Sequence, residues 1–158
     1  GELFSSLQSG AIDATEWVGP YNDRAFGLHK AAKYYYYPGW HEPGPTIECM
    51  INKDKYNSLP TDLKLIIDVA CKAVNLDMLS DYTSKNNLAL QFLKSENINI
   101  LRFPDEVLST LKKISEEILK EISLTDSITK EVYNSYMKFK DNVTPWTDIS
   151  DKSYLDIR

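Results

Sequence analysis

The chain has 158 residues, of which 42% are hydrophobic and 26% charged, and this is enough apolar material for a folded core. Intrinsic disorder and a mini-protein held together by disulfides are therefore excluded. A net charge of −5 and a content of only three arginines argue against a phosphate-binding surface, so nucleic acid is not an expected partner.

Glycine and proline are concentrated at one end of the chain. All six glycines and four of the seven prolines lie within the first 45 residues, and the 113 residues that follow contain no glycine. The later part therefore lacks a Rossmann or Walker phosphate loop. Apolar runs such as Leu65–Ile67 are far shorter than the roughly 20 residues that cross a bilayer. The sequence starts at Gly1 without a recognisable leader, so the compartment must be inferred in another way.

The first 32 residues predict short elements separated by turns. Apolar spacing predicts a helix over residues 2–9 that ends at Gly10, a residue suited to a left-handed cap. Residues 11–15 are expected to form a short strand that leads into a Gly-Pro loop at 16–20. Asn22 or Asp23 then caps a short helix that runs to about Ala32.

Four consecutive tyrosines, Tyr34–Tyr37, precede a loop rich in proline and glycine. We expect a strand with two rings in a core and two half-exposed, and the alternative is a platform on which bases stack. Residues 38–45 cannot form a helix or a central strand, so they predict an ordered loop that carries Trp40, His41 and Glu42. Residues 46–52 are expected to form another strand.

The second half of the sequence is mainly helical. Residues 58–62 contain a capping hydroxyl, a proline and an early acid, and predict the start of a helix that continues to about Lys94, roughly 45–50 Å long. The remaining predicted elements are a strand over 98–103, a helix over 105–123, a helix from 125 to about 142 that ends at Pro145-Trp146, and a short helix over 149–157 anchored by Tyr154. Alternating strands and helices indicate an α/β fold.

The only two cysteines, Cys49 and Cys71, lie in or beside apolar stretches without zinc-like spacing. We interpret them as buried free thiols, and a disulfide between them is the alternative. Two cysteines do not decide the redox compartment.

Two glutamates in Gly/Pro/Trp loops, Glu16 and Glu42, are the candidate site residues. As a pair they could act as general acid and base, or bind a hard cation through oxygen, and either one could simply be solvated. The cation hypothesis needs fewer assumptions, because neither histidine belongs to a catalytic motif. Trp17 and Trp40 would then supply apolar walls, unless both are ordinary core residues.

Residues 16–23 (EWVGPYND) and 34–44 (YYYYPGWHEPG) closely resemble one known family. The sequence is similar to the C-terminal half of periplasmic solute-binding subunits of tripartite ATP-independent (TRAP) transporters, DctP type. Within that family it resembles the subgroup that captures 2-oxo acids such as pyruvate, or 2-hydroxy acids such as lactate, together with a metal ion. The opening segment, the helix start at 58–63 and residues 131–137 (EVYNSYM) extend the resemblance to essentially the whole chain.

The resemblance implies a non-enzymatic, two-lobed α/β receptor in the periplasm that closes on its ligand, with a long helix across both lobes. Ca²⁺ or Na⁺ would bridge a small carboxylate to the protein. Glu16 would give a side-chain oxygen to the metal, Trp17 a backbone carbonyl and a wall for the substrate, and Glu42 a second carboxylate. The implied partners are the membrane subunits of a TRAP transporter and a second copy joined through the C-terminal helices.

A complete family member is about twice as long as this chain and begins with a signal peptide. We therefore expect a fragment that lacks the N-terminal half, which in the family holds a metal-binding glutamine and a ligand-gripping arginine. The expected organisation is a hinge and ligand/metal-site segment over 1–52 with strands crossing between the lobes, the long helix over 53–97, and a strand with the C-terminal helices over 98–158. The alternative function is a metal-dependent hydrolase or lyase that uses Glu16 and Glu42.

Overall fold

The computed structural model describes residues 2–40, 42–44 and 47–158. Helices predominate, and two short strands accompany them. In chain order the elements are α1 Leu3–Ser9, α2 Pro20–Ala25, α3 Leu28–Ala31, β1 Tyr34–Tyr37, α4 Lys53–Ser58, α5 Thr61–Ser95, β2 Asn99–Arg102, α6 Asp105–Ile122, α7 Ser127–Thr147, a π-helical turn Asp148–Lys152, and α8 Ser153–Asp156.

The chain divides into two compact units, one that ends at Phe103 and one that runs from Pro104 to Arg158. The first unit is built around a parallel pair of strands, β1 and β2, in which Tyr34 lies opposite Asn99 and Tyr37 opposite Arg102. Parallel strands need a long crossover, and α4 and α5 supply it. This β-helix-β arrangement confirms the α/β class that the sequence predicts.

The core of the first unit lies where the C-terminal third of α5 meets the segments before β1 and β2. Its buried apolar side chains are Leu28, Ala89, Leu93 and Ile98. Leu93 is only 1% exposed, and Ala89, one turn earlier, leaves room for α2 to pack closely on α5. By contrast, the first turns of α5 present Leu65, Ile66 and Val69 to solvent. The predicted long helix is confirmed, and its buried residues, Ala89 and Leu93, both lie in its last third.

Two predicted strands are absent from the described residues. At 11–15, the amides of Ala11 and Ile12 both donate to the Ser6 carbonyl, at 2.9 and 3.3 Å, and so extend the turn after α1. These amides are therefore not free to pair with another strand. Residues 47–52 are exposed and extended without a partner strand, and 46 lies outside the described residues. The prediction of strands at 11–15 and 46–52 is thus wrong where the structure describes them.

The region between residues 20 and 37 also differs in detail from its prediction. The helix begins at Pro20, with Gly19 as its cap rather than Asn22 or Asp23, and Gly27 at φ 73° separates it from α3. That left-handed conformation strains other residues, so the single predicted helix to Ala32 becomes two. In β1 only Tyr35 is half-buried, and the other three tyrosines are exposed. The expected pair of core rings is therefore wrong.

The second unit contains the helices after β2. Predicted α6 is confirmed, whereas α7 does not end at Pro145 but passes through it to Thr147. Proline removes one helical hydrogen bond while keeping a helical φ, and the backbone breaks only at Ser150 (φ −106°, ψ −106°). The short C-terminal helix forms, but Tyr154 is exposed and does not act as an anchor.

Cys49 and Cys71 are both free, as predicted, but both are exposed rather than buried. A hydrogen bond with Cys49 raises the pKa of the Cys71 thiol. Over the residues that the structure covers, no helix is both long and apolar enough to cross a bilayer.

Leu93 provides a test of this core. We expect Leu93→Ala to lower the free energy of unfolding by about 2–5 kcal/mol, because it leaves a cavity in the packed third of α5. Leu88→Ala, at a site on the same helix that is 58% exposed, should change it by less than about 0.5 kcal/mol. Urea unfolding followed by circular dichroism measures both, and equal losses in the two variants would contradict the described core.

Candidate functional site

Glu16 and Trp17 lie in the extended loop that joins the turn after α1 to the start of α2. Both side chains are exposed, and the Trp17 indole packs on Phe26 with ring centroids 5.2 Å apart and planes tilted by 55°. The opposite part of the indole remains open to solvent, so Trp17 is not a core residue. In the same loop, the Thr15 hydroxyl donates to the Glu16 carbonyl at 3.3 Å.

A buried carboxylate, Asp23, lies directly behind this loop. Its side chain is held by Tyr35 of β1, whose hydroxyl donates to Asp23 Oδ2 at 2.6 Å. Burial raises the pKa of the Asp23 carboxyl, the Tyr35 hydrogen bond offsets part of that rise, and the charge of Glu16 adds to it. Burial likewise raises the pKa of the Tyr35 hydroxyl. The two negative charges, Glu16 in solvent and Asp23 in the interior, are therefore close enough to affect one another.

The helix α2 is fixed to α5 at the point where the Glu16 loop ends. Asn86 of α5 accepts the Tyr21 amide proton at Oδ1, 2.9 Å away. The Tyr21 ring meets Tyr82 edge-on at 5.9 Å, and the Arg24 guanidinium lies 3.9 Å above the Phe92 ring. A stripe along one face of α5 thus supports the segment immediately after Glu16 and Trp17.

Glu42 lies in the exposed loop after β1, two residues beyond Trp40, which is also exposed. Their neighbour His41 lies outside the described residues. Across 2–40, 42–44 and 47–158, no group of three or more His, Cys, Asp or Glu side chains is assembled that could bind a metal ion. The chain therefore presents two single carboxylates on separate loops, and further oxygen ligands would be needed to complete a cation shell.

Sequence reasoning did not find the support behind the loop. It offered Asn22 or Asp23 as a helix cap, placed Tyr35 in a strand or a base-stacking platform, and gave Asn86 no role beyond the long helix. Within the sequence, the acid of an Asn-Asp pair and a polar residue in a helix are ordinary surface features. Only their contacts in the structure distinguish them: the hydrogen bond between Tyr35 and Asp23, and the one between Asn86 and the Tyr21 amide.

Residues 1–126 match the family described as bacterial extracellular solute-binding protein, family 7 (DctP). This match covers most of the chain. The chain belongs to the DctP family. This membership confirms the family that the two aromatic motifs predict, and it makes the receptor class, rather than an enzyme class, the one that applies at family level.

Relatives and solved structures agree with the family. A monocarboxylate 2-oxoacid-binding periplasmic protein of Nostoc sp. is 39% identical over 154 residues, which is 98% of this chain and 42% of that protein. A TRAP periplasmic solute-binding protein of Pseudoalteromonas atlantica, solved with sodium and pyruvate, is 38% identical with a TM-score of 0.91, over 100% of this chain and 48% of that one. One from Bordetella bronchiseptica, a mixed-occupancy dimer with calcium and picolinate, is 32% identical with a TM-score of 0.93, over 99% and 46%.

These DctP relatives bear on several predictions. The chain spans about half the length of the relatives it matches. The family's extracellular description and the periplasmic Nostoc relative confirm the predicted location. Sodium and calcium, the two predicted cations, are the metals held by the two solved structures. The hydrolase or lyase alternative is not favoured by a family of solute-binding proteins.

The buried pair behind the loop yields a stability prediction. Tyr35→Phe removes the donor to Asp23, which is only 7% exposed, so we expect the free energy of unfolding to fall by about 1–3 kcal/mol. Tyr36→Phe on the same strand, at an exposed position, is the matched control and should have little effect. Chemical denaturation at pH 7 measures both. An unchanged stability in Tyr35→Phe would show that the Asp23 carboxylate does not depend on this hydrogen bond.

Proposed function

We propose that this protein is the extracytoplasmic receptor of a TRAP transporter and that it binds a small 2-oxo or 2-hydroxy monocarboxylate of the pyruvate or lactate type through a bridging cation. The observation that carries the proposal is the 39% identity to a 2-oxoacid-binding protein over nearly the whole chain. The likeness to a structure that holds sodium and pyruvate supports the same ligand class. The membrane subunits of the transporter would receive the ligand.

In this proposal the cation binds between the two aromatic loops. Glu16 contributes a side-chain oxygen, Trp17 a backbone carbonyl and the apolar wall, and Glu42 a second carboxylate. Ca²⁺ and Na⁺ are hard cations that take oxygen ligands, and the carboxylate and 2-oxo or 2-hydroxy oxygens of the ligand would fill further positions. Glu16, Trp17 and Glu42 are all exposed, so a cation and its ligand could reach them from solvent.

The long helix α5 would then connect two lobes that close on the ligand. Residues 1–52 would be the hinge and site segment, 53–97 the long helix, and 98–158 the remaining strand and C-terminal helices. The row formed by Leu65, Ile66 and Val69 supports this organisation, because exposed apolar faces of this kind mark surfaces that contact other protein segments. Closure follows if the ligand binds the closed state more tightly than the open one.

Calorimetry of the full-length protein with pyruvate or lactate, with and without Ca²⁺ or Na⁺, tests the ligand proposal. We expect binding that requires a cation, and at least a tenfold loss of affinity in Glu16→Gln and in Glu42→Gln, because each amide keeps an oxygen but removes a charge from the shell. Glu48→Gln, on the exposed segment after the second loop, is the control and should bind normally. Unchanged affinity in both site variants would contradict the metal role.

The α7 helix also carries an exposed apolar stripe, consisting of Ile128, Val132, Tyr136 and Phe139. Side chains spaced by three or four residues share one helix face. We propose that this stripe joins two copies of the protein, which agrees with the dimer of the Bordetella relative.

Light scattering after size exclusion tests the dimer. Phe139→Glu should convert the dimer to a monomer, because it places a charge in the apolar contact, whereas Asn134→Glu on an exposed position of the same helix should remain dimeric. A wild-type monomer, or a dimer unaffected by Phe139→Glu, would refute this interface.

A further inference from the structure

Asn86 contacts the segment that follows the proposed cation ligands. Its position is half-buried in the face of α5 that meets α2, and its Oδ1 accepts the Tyr21 amide proton at 2.9 Å. The same oxygen lies close to Gly19, where a Cβ atom would come within 3.5 Å of it. A side chain 65 residues away in sequence therefore occupies the space beside the turn after Trp17.

The start of α2 depends on this contact because its own sequence provides no cap. Gly19 has no side chain, and Pro20 at the first helical position has no amide proton. Tyr21 is thus the first residue of α2 with an amide to donate, and the first intrahelical bond runs from the Asp23 amide to the Gly19 carbonyl. Asn86 accepts the proton that a local serine or aspartate usually accepts.

The backbone between Trp17 and Tyr21 is short and restricted. Gly19 adopts φ 157° and ψ 179°, a conformation that other residues rarely occupy, and Pro20 fixes its own φ. Few rotations therefore separate the Trp17 carbonyl from the Tyr21 amide. The buried Asp23 carboxylate of α2 is also held by Tyr35 of β1, so α2 has a second side-chain anchor besides Asn86.

We propose that Asn86 is a positioning residue for the cation site: by holding Tyr21 and the Gly19 turn against α5, it sets where the Trp17 carbonyl and the Glu16 carboxylate lie. The inference rests on the proposed function, since it assigns a role toward that same cation. It also gives α5 a direct connection to the ligand. The loop also has local contacts, namely the Trp17 ring on Phe26 and the Asp23 carboxylate beside the Val18 and Gly19 backbone, and Asn86 adds the connection between this segment and α5.

A cap that serves stability alone is the competing explanation, and Asn86 has an adjacent control that separates the two. Asn87 is exposed on a different face of α5, where its Oδ1 makes only a weak 3.5 Å contact with Gln91 within the helix. Asn86→Leu removes the acceptor at similar size, Asn86→Asp keeps an acceptor, and Asn87→Leu makes the same chemical change outside the contact.

The experiment measures Ca²⁺ affinity at saturating pyruvate in the full-length protein, at a temperature where every variant is fully folded. We expect Asn86→Leu to bind Ca²⁺ about five- to tenfold more weakly than the wild type, which corresponds to the loss of one capping hydrogen bond. The Ca²⁺ affinity of Asn86→Asp should be close to that of the wild type, and that of Asn87→Leu should be unchanged. Hydrogen exchange of the Tyr21 amide should be faster than in the wild type only in Asn86→Leu, and not in the other two variants.

The outcomes separate this inference from the proposed function. Ca²⁺ binding that is lost in Glu16→Gln but fully retained in Asn86→Leu would overturn the positioning role and leave the receptor proposal intact. A lower melting temperature in Asn86→Leu with unchanged Ca²⁺ affinity would reduce Asn86 to a stabilising cap, which also overturns the inference. A wild-type protein that binds neither Ca²⁺ nor pyruvate would overturn both.

Discussion

The packing of α2 against α5 is the constraint on which the candidate site depends. The helix α2 has only six residues, too few to be stable in isolation, and it is held because Asn86 accepts its first amide proton and Arg24 lies over Phe92. The Glu16 loop leads directly into α2, so the position of α2 fixes the end of the loop. The candidate loop is therefore connected to the long helix through α2.

The elements that the sequence predicts well are those whose stability comes from long, regular patterns. The apolar spacing of α5 and α6 and the alternation around β2 are local signals, and the structure follows them. Prediction from the sequence is wrong where the backbone groups of a short segment can form either of two sets of hydrogen bonds. Residues 11–15 alternate like a strand, but the amides of Ala11 and Ile12 donate to the Ser6 carbonyl and are therefore not available to a partner strand.

Burial was harder to predict than secondary structure. Four aromatic rings in β1 suggest a hydrophobic core, yet only Tyr35 turns inward, where its hydroxyl meets Asp23. Sequence patterns also place Cys49 and Cys71 inside, because neighbouring residues are apolar, but both thiols are exposed and contact each other at the surface. Glu16, Trp17 and Glu42 are candidates from the sequence because their glycine, proline and tryptophan neighbours are distinctive. Asn86 has no such signature, because its contact with the Tyr21 amide exists only where α2 packs on α5.

The distance in sequence between Tyr21 and Asn86 also determines when the loop can become ordered during folding. Both the Asn86 contact and the pairing of Tyr34 with Asn99 join residues 65 positions apart, so each must close a long loop before it contributes. The helix α5 can form early from its own local bonds, whereas the Glu16 loop must wait until α5 and β2 have returned to the first part of the chain. The contacts that hold the Glu16 loop in place are thus non-local, and their formation requires these long chain segments to close first.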